Sequence, residues 1–123
     1  MTDPVRLLLV EDNEANAYLA RYVLEAEGFE VEWVADGQQA LDAAAARRPD
    51  LVLMDLRMPV LDGFEATRRL KADAALCDVP VLAMSAQALP AEKARALAAG
   101  CAAHIDKPVD VATLAAQVRA WLK

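Results

Sequence analysis

Short apolar runs alternate with helical periodicities along the whole chain. VRLLLV (5–10) is the first β-rich run. Between 14 and 27 the apolar residues Leu19, Tyr22, Val23 and Ala26 fall on one helical face, and Gly28 stands where a helix would close. FEVEWV (29–34) alternates apolar with acidic residues, which predicts a half-exposed strand at a sheet edge. Asp36 can cap a helix running to about Arg48, with Pro49 as its stop. LVLM (51–54) is apolar throughout and reads as a central strand buried on both faces. Asp62 or Gly63 opens a third helix to about Ala75, and VPVLAM (79–84) is a fourth strand. Pro90 suits the first turn of a fourth helix closed by Gly100. CAAHID (101–106) is a weaker fifth strand, and Asp110 is expected to cap a last helix that buries Val111, Leu114, Ala115, Val118, Trp121 and Leu122.

The pattern is β-α repeated five times, without insertion or low-complexity tract. It predicts an α/β fold: a doubly wound (βα)5 unit with a five-stranded parallel sheet, helices on both faces and right-handed crossovers. The 123 residues suit one domain, 1–123. The chain ends just after the fifth helix, so no output domain is expected. Apolar residues at 57% and charged residues at 26% favour a packed core over disorder. A net charge of −6 disfavours direct contact with nucleic acid. No apolar run approaches the roughly 20 residues that span a bilayer. The segment MTDPVRLLLVED lacks the basic leader and cleavage site of a signal peptide, so a cytoplasmic location without membrane contact is expected. Cys77 and Cys101 make no C-x-x-C pair and read as reduced thiols; the single histidine, His104, excludes a His-rich zinc site.

In an open parallel sheet the binding crevice lies beyond the carboxyl ends of the strands. Glu11 and Asp12 follow the first strand, Asp55 the third, Ser85-Ala86 the fourth and Lys107-Pro108 the fifth; the second contributes nothing so distinctive. Three carboxylates at one end repel one another unless a proton or a cation intervenes. Oxygen donors without nearby nitrogen or sulfur favour a hard cation, and so few of them favour magnesium with retained waters. An immobile carboxylate beside a metal can attack phosphorus and become an aspartyl phosphate. The metal and Lys107 would stabilise charge on the phosphoryl oxygens, and the Ser85 hydroxyl could donate to one of them. Pro59 and Gly63 shape the turn after Asp55.

These residues, in this order and spacing, resemble the receiver domain of two-component response regulators: Glu11-Asp12, Asp55 with Met58-Pro59 and Asp62-Gly63, Ser85-Ala86, and Lys107-Pro108. The likeness runs from about Val5 to Leu122. It implies a flavodoxin-like sheet in the order 2-1-3-4-5. It implies Asp55 as phosphoacceptor, with magnesium (or manganese in its place) held by Glu11, Asp12, Asp55 and the backbone carbonyl of Arg57. Ser85 would be the switch hydroxyl, Lys107 would pair with the phosphate, and Pro59, Gly63 and Pro108 would set turn geometry. Arg57 and Gln87 hold the places that influence phosphate lifetime. The donor would be a phosphohistidine on a sensor histidine kinase or histidine phosphotransfer protein, and the acyl phosphate would be hydrolysed within the domain. A downstream protein would read the helix 4/strand 5/helix 5 face, carrying Lys93, Arg95, His104, Gln117 and Arg119, with the chain either monomeric or a phosphorylation-dependent dimer. His104 stands where the family usually has tyrosine or phenylalanine. It either fills the aromatic slot or makes the switch pH-sensitive, since imidazole titrates near neutrality.

Two other classes fit less well. A metal-dependent phosphohydrolase of small molecules usually carries a second aspartate where this chain has Arg57. A flavodoxin-like cofactor binder needs a phosphate-cradling loop after the first strand, where EDNEAN offers acids instead.

Overall fold

The computed structural model describes residues 4–86 and 89–122. Five strands alternate with five helices: β1 (Arg6–Val10), α1 (Glu14–Ala26), β2 (Glu30–Val34), α2 (Gly37–Ala46), β3 (Leu51–Asp55), α3 (Gly63–Ala72), β4 (Val81–Ser85), α4 (Pro90–Ala99), β5 (Ala103–Asp106) and α5 (Leu114–Ala120). The strands form one parallel sheet in the order β2-β1-β3-β4-β5, as the resemblance implied.

Strand periodicity divides the core into two layers. Leu8, Val10, Val52, Met54, Val81 and Ala83 face α2, α3 and α4, meeting Ala40, Ala44, Phe64, Leu70 and Ala96. Leu7, Leu9, Leu51, Leu53, Leu82 and Met84 face the other way, onto Ala17, Ala20 and Leu24 of α1 and Leu114 and Val118 of α5. Each fully buried leucine contributes about 2 kcal/mol of transfer free energy. β1, β3 and β4 are covered on both sides, which is why their sequences are continuously apolar. β2 is an edge, and its exposed Glu30 and Glu32 alternate with the more buried Val31 and Trp33.

Helix starts follow capping chemistry. Asn13, Asp36 and Asp62 each accept a hydrogen bond from a backbone N–H in the first turn of α1, α2 and α3. Gly100 closes α4 with φ 115°, a left-handed conformation in which a side chain would be strained.

Three expectations about the helices are corrected. α1 buries Ala17, Ala20 and Leu24, whereas Leu19 and Tyr22 are exposed and Val23 is half-buried. Small alanines let the helix approach the sheet closely, so the larger apolar residues ride on its outer face. α5 begins at Leu114, not at Asp110; the Asp110 carboxylate instead accepts from Ala112 N in a preceding turn, and Val111 and Trp121 are exposed. α3 ends at Ala72 rather than near Ala75, and Asp73 N–H returns to the Leu70 carbonyl. No helix among the described residues is long and apolar enough to cross a membrane.

Candidate functional site

Register brings the acids together. Val10 pairs with Met54 across β1 and β3, so Glu11, one residue on, lies beside Asp55. Glu11 N–H donates to the Val34 carbonyl and the Trp33 indole N–H donates to the Glu11 carbonyl at 2.7 Å. The second strand, expected to add nothing distinctive, therefore anchors the first acid. The Glu11 side chain is buried and accepts from Asn13 N–H at 3.2 Å. Asp12 is exposed at the rim. One carboxylate oxygen from each of Glu11, Asp12 and Asp55 lies within 4.8 Å of the others. The donors are all hard oxygens, the chemistry that suits a divalent cation such as magnesium.

Asp55 ends β3 and is only 3% exposed. Its Oδ1 accepts from Arg57 N–H at 3.1 Å, and its Oδ2 lies 3.1 Å from Lys107 Nζ. Lys107 also reaches Glu11 Oε2 at 2.5 Å. One ammonium is thus shared between two buried carboxylates. Burial pushes the Asp55 carboxyl from 3.8 up to about 6; the Glu11 charge adds to this, while the Arg57 N–H and Lys107 oppose it. Burial alone would depress the Lys107 ammonium, but its hydrogen bond to Glu11 and the charges of Asp55 and Glu11 carry its pKa above the ordinary lysine value.

The turn after Asp55 is tightly built. A Cβ on Gly63 would stand 2.3 Å from the Asp55 carbonyl oxygen and 2.7 Å from Leu56 Cα, so only glycine lets α3 start against the strand tip. Leu61 N–H closes onto the Pro59 carbonyl at 2.8 Å around Val60, whose φ is 70°. A β-branched residue is strained in that region, and Val60 is the one non-glycine with positive φ among the described residues. Pro108 follows a cis peptide bond from Lys107.

Ser85 ends β4 beside Asp106 and is buried. Its Oγ lies 2.9 Å from His104 Nε2, a hydrogen bond whose donor depends on the imidazole tautomer. The His104 side chain is only 5% exposed, so it occupies an interior slot; its Nδ1 is 3.2 Å from Asp106 Oδ1 without hydrogen-bonding geometry. Lys93 of α4 approaches the same Asp106 oxygen at 3.8 Å. Gln87 lies outside the described residues. Of the residues expected on the α4/β5/α5 face, Arg95 lies over the Phe64 ring at 4.0 Å, and Arg119 reaches Glu27 at 3.0 Å and the Phe29 ring. Cys77 and Cys101 are both free thiols.

Sequence reasoning missed one buried charge. Glu92, in the first turn of α4, is 8% exposed, and its Oε2 lies 3.2 Å from the Arg57 guanidinium. An acid so placed reads as a helix-dipole partner, which hid its burial.

The chain matches the family model of the response regulator receiver domain over residues 7–119. It is 40% identical over 119 residues to the polar-differentiation response regulator DivK of Brucella anthropi, with 97% of each chain covered. Among solved structures it is similar to the receiver domain of a sensor histidine kinase from Pseudomonas aeruginosa, which has a magnesium ion coordinated in its active-site cleft. That likeness has 39% identity and a TM-score of 0.90, and it covers 97% of this chain and 98% of that one. The chemotaxis response regulator CheY4 of Vibrio cholerae superposes with a TM-score of 0.93 at 28% identity, covering 98% of this chain and 100% of that one. On the sequence match and the close structural likeness together, the chain belongs to the response-regulator receiver domain family.

Proposed function

We propose that this receiver domain accepts a phosphoryl group on Asp55 from a phosphohistidine of a sensor kinase or phosphotransfer protein and passes on the signal as a change of shape. The carrying observation is the convergence of Glu11, Asp12 and Asp55 on one small volume, with Lys107 Nζ 3.1 Å from the Asp55 carboxylate. Such a crowd of acids is electrostatically costly unless a cation joins it. Magnesium, held by Glu11, Asp12, Asp55 and the Arg57 carbonyl, would neutralise charge on the transferring group.

The chain's own residues do the rest. An Asp55 carboxylate oxygen bonds to phosphorus as the bond from phosphorus to the donor imidazole nitrogen breaks, and the electron pair stays on that nitrogen. Arg57 N–H and Lys107 hold the carboxylate in place. Burial keeps competing water scarce and strengthens the Lys107 charge. The Ser85 hydroxyl leaves His104 to donate to a phosphoryl oxygen, which frees the His104 ring and disturbs the contact of β5 with Lys93 of α4. A phosphoryl group adds nearly two negative charges to a site already rich in them, so the surrounding packing shifts population. Water later cleaves the phosphorus–oxygen bond and resets the carboxylate. The downstream reader is a protein that meets the surface around α4, β5 and α5.

Incubation with acetyl phosphate and magnesium should add one phosphoryl mass to the intact protein, and Asp55→Asn should abolish the gain. Uptake that persists in Asp55→Asn would reject Asp55 as the acceptor.

A further inference from the structure

Arg57 has two ends in this structure. Its main-chain N–H donates to the Asp55 carboxylate at 3.1 Å, and its guanidinium lies 3.2 Å from Glu92 of α4. The pair is lopsided. The Arg57 side chain is 63% exposed, whereas that of Glu92 is 6% exposed. Among the described residues the other Glu92 carboxylate oxygen, Oε1, has no hydrogen-bond partner. A buried carboxylate with one bare oxygen depends heavily on the cation that meets the other. The arginine is the more exposed member of the pair.

We infer that Glu92 is a positioning residue for chemistry at Asp55: through the Arg57 guanidinium it tethers α4 to the acceptor loop and favours the unphosphorylated arrangement. The inference rests on the reading of Asp55 as phosphoacceptor. Phosphorylation places new negative charge beside Arg57, two residues away, and that charge competes with Glu92 for the guanidinium. If Arg57 turns inward, Glu92 is left buried and bare. It then escapes to water only as the first turn of α4 moves off its seat. The same pair therefore resists acceptance of the group and converts acceptance into displacement of α4. An interaction present in one state and absent in the other shifts the equilibrium by its differential free energy and no more.

Glu92→Gln keeps the shape and a hydrogen-bonding oxygen but removes the charge. With acetyl phosphate and magnesium, intact mass should show about fivefold faster uptake than in the unaltered protein, the low end of site-to-site couplings because Arg57 is largely exposed. Glu92→Asp keeps the charge and should stay nearer the unaltered rate. The deciding measurement is the same Glu92→Gln change in an Arg57→Ala background. A tether acting through Arg57 predicts no further change there. A merely structural glutamate would alter both backgrounds alike and lower the melting temperature in both. Equal rates for Glu92→Gln and the unaltered protein, or equal effects in both backgrounds, would overturn the inference while leaving Asp55 as acceptor. No uptake by the unaltered protein would instead reject the acceptor and the tether with it.

Discussion

The two ends of the sheet handle charge in opposite ways. At the amino end Arg6 pairs with Glu32 and Arg47 with Glu30, each at 3.3 Å, while Asp50 accepts from Arg6 N–H at 2.8 Å and Arg48 donates to the Ala75 carbonyl at 2.7 Å. Acids and bases alternate there around an open groove of about 600 Å³. At the carboxyl end Glu11 and Asp55 share the Lys107 ammonium, and Asp12 adds a third carboxylate beside them. The groove mixes the two signs, whereas the acid cluster is out of balance, and that imbalance distinguishes the carboxyl end better than cavity size does. Strain follows the same division, since Val60 belongs to the carboxyl-end loops.

Removing the lysine that bridges Glu11 and Asp55 should have the largest effect. Lys107→Ala leaves Glu11 and Asp55 facing each other in a buried site, and denaturant unfolding at pH 7 with a chelator present should show a loss of about 3 kcal/mol. An unchanged midpoint would mean that the acids are not held together by that lysine.

Neutralising an acid should act in the opposite direction. Between about 4 and 6 the folded chain keeps a proton on Asp55 that the unfolded chain has released, so ionising Asp55 costs stability as pH rises through that window. Asp55→Asn carries no such cost. Without divalent metal its advantage should be near zero at pH 4 and grow to roughly 2–3 kcal/mol by pH 7. A constant difference across that range would contradict the frustrated-site description.

The amino end supplies the control. Arg47→Ala breaks an ion pair whose partners are both well exposed, and should cost less than about 0.5 kcal/mol at any pH from 5 to 8. A loss as large as that of Lys107→Ala would erase the distinction between the two ends.

Element order and the strand-tip residues were legible because both follow from local patterns. A buried parallel strand must be apolar, and whatever polar residue follows it must stand at the carboxyl edge; Asp55 and Ser85 announce themselves in this way. The inward face of α1 was not legible. Hydrophobicity pointed to Leu19 and Tyr22, but close helix–sheet packing selected Ala17 and Ala20. The Trp33 bond to Glu11 and the Arg57–Glu92 pair were hidden for another reason. Each joins residues 22 or 35 positions apart, and no local periodicity encodes a contact over that distance. The His104 slot was seen as a departure in residue type, but its bond to Ser85 needed the β4–β5 register.

Gly63 leaves no clearance behind the tip of β3: the first turn of α3 is wedged against the Asp55 carbonyl. On the proposed role of Asp55, the residue has no room to recoil down the strand when its side chain gains bulk. The same proposal sends displacement forward, into the loops beyond the sheet, with the α3 turn as a fixed backstop.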